Sequence, residues 1–220
     1  MQRQLARPAV KRHPLSLRRV LRNALKPEMC TSAWAKMYEC IQEYDLLPVE
    51  ACRAQCARPD QPAVMTAHVC EAPGAFICAT NHFVRTKMKG FDWGWVGLTL
   101  NPYHEGNDLG AMVDDDALIK ETMGNWCFGK DNSGDIRKPD SIREMWRRCR
   151  AEAERLGVPG PFLVTGDGSI DCQENPNEQE MTTAPLHYDE MVCMAGMLAK
   201  GGSLVIKAFT LFEHPTVVTA

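Results

Sequence analysis

The sequence contains no apolar run of eighteen residues and no signal-like apolar core, so it predicts neither a membrane span nor a secretory leader. It also lacks internal repeats and low-complexity stretches, which excludes a repeat array. The ten cysteines follow no repeating pattern, and Cys52 and Cys56 have no second pair to complete a zinc set. We therefore expect reduced thiols in an intracellular protein, not a disulfide framework.

Acidic residues are missing from the first 27 positions, which hold eight of the 25 basic residues. The remaining 193 residues carry 17 basic and 28 acidic side chains. Three interpretations stay open for this basic arm: contact with a polyanion such as RNA, a solvated flexible tail, or an Arg-rich mitochondrial transit peptide. Residues 28–220 are assigned to one domain, because a chain of this length with 45% apolar residues suits one core.

Hydrophobic periodicity predicts a first helix over residues 32–44 and alternating strands and helices after residue 65. The predicted strands are residues 67–71, 93–100, 126–128, 161–164 and 203–209. The predicted helices are residues 75–84, a segment from a Ser141–Glu144 capping box to Gly157, and residues 186–198. This alternation indicates an α/β fold with a mostly parallel sheet and helices on both faces. Five strands leave one edge without its usual cover, and we expect the C-terminal edge strands to be missing.

Three residues fall where parallel sheets bind ligands, at the carboxyl ends of strands. Gly74 lets backbone approach a ligand before a helix, although an ordinary turn explains it equally well, and no G-x-G-x-x-G fingerprint is present. Asp167 stands between two glycines that bend the backbone and leave its carboxylate uncovered, unless it caps its own turn. Lys207 interrupts an apolar strand, which suits a paired or neutralised general base, unless its amine extends out at the strand end.

Other candidates carry weaker signals. Trp93 and Trp95 share one face of the second strand, where one stacks on a nucleobase or both pack in the core. Asp135 lies in a polar, glycine-containing loop of the kind that carries ligands, and it suits an adenine amino group. Lys36 lies opposite the apolar face of the first helix, and the pattern alone makes it a solvated lysine near Glu39.

Four segments resemble motifs of the FtsJ-type RNA 2'-O-methyltransferases. They are residues 70–76 (CEAPGAF), 99–107 (TLNPYHEGN), 132–136 (NSGDI) and 165–173 (TGDGSIDCQ). Within that family they look most like the cap-2 mRNA methyltransferases, which methylate the second transcribed nucleotide. The likeness runs from about residue 30 to residue 215. It implies a Rossmann-like methyltransferase fold, S-adenosyl-L-methionine as cofactor and capped mRNA as substrate.

The resemblance also implies roles for individual residues. It assigns catalysis to Lys36, Asp167 and Lys207. It assigns cofactor binding to Glu71, Pro73, Gly74, Trp93, Asp135 and Asp167. A fourth acidic residue of the family lies on a strand that follows the second lysine and that this chain does not contain.

These roles lead to a mechanistic hypothesis in which Lys207 accepts the ribose 2'-hydroxyl proton. Lys36 then lowers the pKa of Lys207 and stabilises the alkoxide, and Asp167 holds the groups in line. We expect no metal requirement and a location in the nucleus, the cytoplasm or both. A cap-1 or ribosomal-RNA 2'-O-methyltransferase, or a non-catalytic fragment that binds RNA or a partner, stays open as an alternative.

Overall fold

Seven helices and five strands make up the part of the chain that the structure describes. In this computed structural model, that part comprises residues 14–58, 60–112, 114–170, 172 and 178–208. The helices are α1 (Pro14–Leu25), α2 (Ser32–Glu43), α3 (Val49–Ala54), α4 (Ala75–Lys87), α5 (Ala117–Glu121), α6 (Pro139–Leu156) and α7 (Gln179–Ala195). The strands are β1 (Ala63–Val69), β2 (Asp92–Leu98), β3 (Trp126–Cys127), β4 (Leu163–Gly166) and β5 (Ser203–Ile206).

The five strands form one parallel sheet in the order β3-β2-β1-β4-β5. From β1 the chain first builds outward through β2 to β3 and then returns to add β4 and β5 on the other side. The order therefore reverses between β1 and β4. In sheets of this kind the crevice beyond the carboxyl ends of such a strand pair is the usual place for a ligand.

Helices cover both faces of the sheet, as the sequence predicts. On one face, β1 residues such as Met65 and Ala67 pack against Met145 of α6 and Met194 of α7. On the other face, Val64 belongs to a cluster with residues of α2 and α4. Because successive side chains of a strand point to opposite faces, Thr66 and His68 share the α4 face with Val64. Both polar side chains are fully buried.

Two element boundaries differ from the predictions because of local backbone chemistry. The first strand ends at Val69, before the predicted residue 71, because Cys70 takes a left-handed φ of 55° that breaks the ladder. The sixth helix begins at Pro139, whose fixed φ suits a first helical position. The Ser141 capping box is therefore wrong: the Ser141 hydroxyl is buried without a hydrogen-bond partner among the described residues. The predicted stop at Gly157 is confirmed by its φ of 68°.

Three further elements also differ from their predicted bounds. Residues 161–164 are predicted as the fourth strand, but β4 is Leu163–Gly166 because this segment pairs with Thr66–Val69 of β1. The helix predicted over residues 186–198 is α7, which begins earlier and contains Pro185. Glu180 and Thr183 are buried in its first turns. The sequence pattern does not predict this earlier start because Pro185 interrupts it. The fifth strand ends at Ile206, and residues 209–220 lie outside the described residues.

Part of the predicted basic arm is helical. Residues 14–25 form α1, and Leu25 packs against the α2–α4 cluster, while the role of the arm stays a prediction. Residues 1–13 lie outside the described part of the chain. All ten cysteines are free thiols, which confirms the prediction that they form no disulfide framework. None of the helices in the described ranges is long and apolar enough to cross a membrane.

Candidate functional site

The ends of β1, β4 and β5 are held together by backbone hydrogen bonds that continue the sheet past its last paired residues. Asp167 N donates to Val69 O at 3.2 Å, and Lys207 N donates to Gly166 O at 2.8 Å. Asp167 and Lys207 therefore follow neighbouring strands at the row of carboxyl strand ends, which we call the carboxyl edge, beside the segment that carries Gly74. The strand-end rule predicts this grouping from the sequence.

Asp167 and Lys207 form an ion pair at this edge, with 2.8 Å between Lys207 Nζ and Asp167 Oδ1. The lysine side chain is 33% exposed and the aspartate 17% exposed, so neither is fully solvated. Asp167 Oδ1 is shielded from solvent, and its contact with the amine is an ion pair, not an aligned hydrogen bond. Lys207 follows β5 and does not interrupt it, because the strand ends at Ile206 and its residues are only half-buried. The charged partner expected for this lysine is nevertheless present in Asp167.

A second carboxylate, Glu190 of α7, lies against the same turn, and sequence reasoning missed it. Glu190 is fully buried, and its Oε1 accepts a hydrogen bond from Gly168 N at 2.9 Å. Burial raises its pKa to about 7, with Asp167 adding to the rise and the Gly168 amide opposing it. The available signal is its helical spacing: Glu190 falls between Leu186 and Cys193 on the apolar face that α7 turns inward.

Glu71 anchors the start of α4 beneath this edge. It is 1% exposed, and its Oε1 accepts a hydrogen bond from Phe76 N at 2.7 Å. Burial raises its pKa well above the ordinary value, and the nearby charge of Asp167 raises it further. Glu71 is therefore buried beneath the turn that contains Gly74, where its carboxylate supports the start of α4 and is not exposed to a ligand.

Gly74 and Pro73 form the turn above Glu71. Gly74 has a φ of 105°, a conformation that L side chains rarely adopt, and a Cβ there would lie 2.1 Å from Leu118 Cδ2. Pro73 follows a cis peptide bond. The predicted Pro-Gly bend is present, and α5 covers one side of it through Leu118.

A chain of buried hydrogen bonds runs from Trp93 to Glu71. Trp93 Nε1 donates to Thr66 Oγ1 at 3.1 Å, and Thr66 Oγ1 lies 2.9 Å from His68 Nε2. His68 Nδ1 lies 2.8 Å from Thr165 Oγ1, which donates to Glu71 Oε2 at 3.4 Å. Each hydroxyl has one proton, so when Thr165 donates to Glu71 it must accept from His68 Nδ1, which then carries the ring proton. Burial lowers the pKa of His68 to about 3, and the ring is neutral at neutral pH.

Trp93 itself does not reach the strand-end edge. It is the second residue of β2 and pairs with Val64, five positions before the strand ends at Leu98. Five residues of strand span roughly 16 Å. Its ring stacks on Trp95 with 6.2 Å between centroids. The core-packing interpretation therefore fits Trp93, and its link to the edge runs through Thr66 and not through direct contact.

Asp135 lies in a loop whose conformation is fixed by a second loop. Asn101 Nδ2 donates to Asn132 O at 2.8 Å, and Asn107 Nδ2 donates to Ser133 O at 2.7 Å. Both oxygens of Asp135 accept from the Arg137 guanidinium at 2.9 Å. Burial raises the pKa of Asp135, but the hydrogen bonds from Arg137 outweigh it and leave the pKa below the ordinary value. An adenine amino group would have to share this carboxylate with Arg137.

Lys36 lies on the exposed face of α2, opposite buried Trp34 and Met37, as the helical pattern predicts. No ion pair with Glu39 is present among the described residues. Of the predicted lysine–aspartate–lysine group, the structure shows the contact between Asp167 and Lys207. The role of Lys36 stays a prediction.

A cavity of about 310 Å³ lies away from this edge, between α6 and the start of β3. Arg147, Arg148 and Arg155 are among its lining residues. Two of these guanidinium groups pair with Glu144 and Glu152, and Arg148 donates to backbone carbonyls. None of the predicted site residues lines this cavity, so the strand ends carry the functional candidates.

A comparison with family models and a comparison with curated proteins identify the same family. The model of the FtsJ-like methyltransferases matches residues 30–220. A cap-specific mRNA (nucleoside-2'-O-)-methyltransferase 2 from Danio rerio is 44% identical over 197 residues, which cover 90% of this chain and 25% of that protein. The protein of the same name from Mus musculus is 41% identical over 90% of this chain and 24% of its own length. The chain spans about a quarter of the length of these curated relatives.

Proposed function

The chain belongs to the FtsJ-like methyltransferase family, and from this premise we propose that it transfers a methyl group from S-adenosyl-L-methionine to a ribose 2'-hydroxyl of capped mRNA. The relatives named for cap-specific mRNA 2'-O-methylation support capped mRNA as the substrate. The motif in residues 99–107, which resembles that of the cap-2 enzymes, favours the second transcribed nucleotide. The single structural observation behind the proposal is the Asp167–Lys207 ion pair at the carboxyl edge. This activity would place the protein in the nucleus, the cytoplasm or both.

The residues at the edge fit S-adenosyl-L-methionine by their hydrogen-bonding chemistry. The cofactor offers an ammonium group, ribose hydroxyls and an adenine amino group as donors, and its sulfonium is positively charged. The edge offers the carboxylate acceptors Asp135 and Asp167, and Asp167 Oδ1 lacks an aligned hydrogen bond among the described residues. A third carboxylate, Asp189, has a pKa raised by burial and by the charge of Asp135. Added positive charge relieves the repulsion between two such carboxylates.

When bound, the cofactor supplies an activated methyl group, so the protein must remove the hydroxyl proton and align the oxygen. We assign the proton to Lys207 Nζ, since it is the amine at this edge that a partner holds in place. Asp167 fixes the position of Nζ through the 2.8 Å contact. To accept the hydroxyl proton, Lys207 Nζ would first have to lose its own ammonium proton to solvent. The methyl group would come from the cofactor, which would leave as S-adenosylhomocysteine when its sulfur–methyl bond breaks.

The test combines the chain with S-adenosyl-L-methionine and a short capped RNA that already carries a 2'-O-methyl group on its first nucleotide. Mass spectrometry of the nuclease-treated RNA then maps the new methyl group. We expect it on the second nucleotide with the unaltered chain and not with Lys207→Ala.

Calorimetry with S-adenosylhomocysteine provides the control. Binding with no transfer to any RNA would support the non-catalytic alternative. A second capped RNA, without the 2'-O-methyl group on its first nucleotide, tests the other enzymes of the family: methylation of that first nucleotide, or of ribosomal RNA alone, would support them. The absence of both binding and transfer would reject the proposal for this chain.

A further inference from the structure

The two glycines beside Asp167 are explained by a helix that lies far away in the sequence. Neither Gly166 nor Gly168 has a left-handed φ, so the backbone itself does not require glycine at these positions. A Cβ at Gly168 would lie 2.6 Å from Glu190 Oε1, and a Cβ at Gly166 would lie 3.0 Å from the same atom. The carboxylate of Glu190 occupies the space that side chains would need. This observation replaces the sequence-based interpretation that the glycines are needed for bending.

Glu190 makes one strong contact from its buried position. Its Oε1 accepts from Gly168 N at 2.9 Å, and its Oε2 has no aligned hydrogen bond among the described residues. The Cys70 thiol faces the carboxylate as a weak donor. A buried carboxylate with one unsatisfied oxygen is less stable than an apolar side chain of the same size. Glu190 therefore contributes through the turn at Gly168, whose amide it holds.

A second residue of α7 lies near Gly168. His187 is three residues before Glu190, about one helical turn, and the Gly168 backbone opposes the lowering of the His187 pKa by burial. The hydrogen bond from Gly168 N to Glu190 Oε1 fixes the turn directly after Asp167 to this face of α7.

We propose that Glu190 is a positioning residue of the methyl-transfer site, which holds the Gly168 amide so that the Asp167 carboxylate stays against Lys207 Nζ. This inference rests on the proposed function. The charged and titratable groups that face Glu190 are Cys70, Asp167, Lys207 and Cys193. The acceptor oxygen, and not the negative charge, is what the turn requires.

Three substitutions distinguish three properties of the Glu190 carboxylate: its acceptor oxygen, its negative charge and the space that it occupies. Glu190→Gln keeps an oxygen acceptor and removes the charge, whereas Glu190→Ala removes both. Gly168→Ala places a methyl group against the carboxylate. Cys193→Ala is the matched control, because Cys193 is also fully buried on α7 but its side chain belongs to the core cluster. Urea unfolding of each variant gives the stability against which local effects are compared.

The first measurement needs no catalysis. Amide hydrogen exchange by NMR should show at least about tenfold faster exchange of Gly168 N–H in Glu190→Ala than in Cys193→Ala at matched stability. Glu190→Gln should retain the protection. The ¹³C chemical shift of the Lys207 Cε should change in Glu190→Ala and not in Glu190→Gln, because its partner Asp167 is no longer fixed. Unchanged Gly168 exchange and an unchanged Lys207 chemical shift would overturn the inference.

The second measurement uses methyl transfer. Glu190→Ala should lower kcat by about 100-fold with little change in KM, since a small misplacement of a reacting group has effects of that size. Glu190→Gln should retain most of the activity. The Glu190→Ala/Gly168→Ala double variant should lose little more than either single variant, because both act through one contact. Loss of Gly168 protection in Glu190→Ala, in a chain that transfers no methyl group at all, would reject the proposed function and leave the contact in place.

Discussion

Lys207 Nζ lies 2.8 Å from Asp167 Oδ1, although the two residues belong to different strands and are separated in sequence by all of α7. This relationship predicts that Lys207→Arg is as inactive as Lys207→Ala. Arginine keeps the positive charge beside Asp167 but cannot lose its proton near neutral pH, so it cannot act as a base. We expect both variants to lower methyl transfer by about 10² to 10⁴-fold.

The binding of S-adenosylhomocysteine, measured by calorimetry, is the control for Lys207→Arg. Its affinity should change by less than about threefold, since the predicted cofactor contacts lie on other residues. Near-normal turnover in Lys207→Arg would show that the lysine acts through its charge alone and would remove it from the proton-transfer step.

Lys36 gives a separate prediction because it is exposed. Lys36→Ala should change the free energy of unfolding by less than about 0.5 kcal/mol, as is usual for exposed positions. Any fall in methyl transfer would then report on catalysis directly, and the family resemblance predicts a fall of at least about tenfold. Glu39→Ala, which changes a neighbouring exposed residue of α2, is the control. Equal activity in the two variants would exclude Lys36 from the site.

The strand-end positions of Gly74, Asp167 and Lys207 could be predicted from the sequence because they depend only on topology. Parallel strands joined by helices bring their carboxyl ends to one edge, whatever the individual side-chain contacts are. The alternation of apolar segments was sufficient for that conclusion. The same information predicted helices on both faces and the end of α6 at Gly157.

Features that depend on a distant partner could not be predicted in this way. Glu190 is an acid within an apolar helical pattern, and its significance appears only when Gly168 is seen beside it. Trp93 is half-buried, and its indole N–H donates a hydrogen bond to Thr66, which lies on another strand. The start of α6 was predicted from the Ser141–Glu144 capping box, but the helix begins at Pro139 and the Ser141 hydroxyl is buried in it. In each case the observed position depends on a contact between residues that are distant in sequence or on the burial of a side chain.

His68 provides a prediction about pH and a spectroscopic one. Burial lowers its folded-state pKa to about 3, below the value of about 6.5 expected in the unfolded chain. The unfolded chain therefore binds a proton that the folded protein does not, and this contribution to stability is lost as the pH falls from about 6.5 towards 3. The expected slope is about 1.4 kcal/mol per pH unit. ¹⁵N NMR should show the neutral ring with its proton on Nδ1.

His68→Asn is the comparison for that slope, since asparagine does not titrate in this range. Urea unfolding of both proteins between pH 6 and pH 4 isolates the histidine from the other titrating groups, whose contributions are shared. The stability of the variant should depend less steeply on pH. Parallel curves, or a proton on Nε2, would contradict the directed hydrogen-bond chain from Trp93 to Glu71.

Glu190 predicts the opposite pH dependence. Burial raises its folded-state pKa to about 7, so the folded protein keeps a proton that the unfolded chain releases above about pH 4.5. The stability of the unaltered chain, relative to Glu190→Gln, should therefore fall as the pH rises from about 4.5 to about 7. The difference should reach about 3 kcal/mol by pH 8. Urea unfolding at pH 4.5 and pH 8 measures it, and a difference that does not change with pH would show that folding does not raise the pKa of Glu190.

Gly134 and Gly90 form a matched pair for the loop that carries Asp135. Their φ angles are 72° and 87°, so alanine is strained at both positions, and this strain costs about 1–2 kcal/mol. Only at Gly134 would the new Cβ meet backbone: it would lie 1.8 Å from Thr99 O, whereas the space around Gly90 is open. Gly134→Ala should therefore lower the free energy of unfolding by at least about 2 kcal/mol more than Gly90→Ala.

The Gly134→Ala substitution should also move the adjacent Asp135, because relief of the collision separates the two loops that Asn101 and Asn107 hold together. If Asp135 contacts the cofactor, calorimetry should show weaker binding of S-adenosylhomocysteine to Gly134→Ala and unchanged binding to Gly90→Ala. Equal affinities, together with the expected loss of stability, would mean that this loop supports the fold and that Asp135 remains with Arg137 when the cofactor is bound.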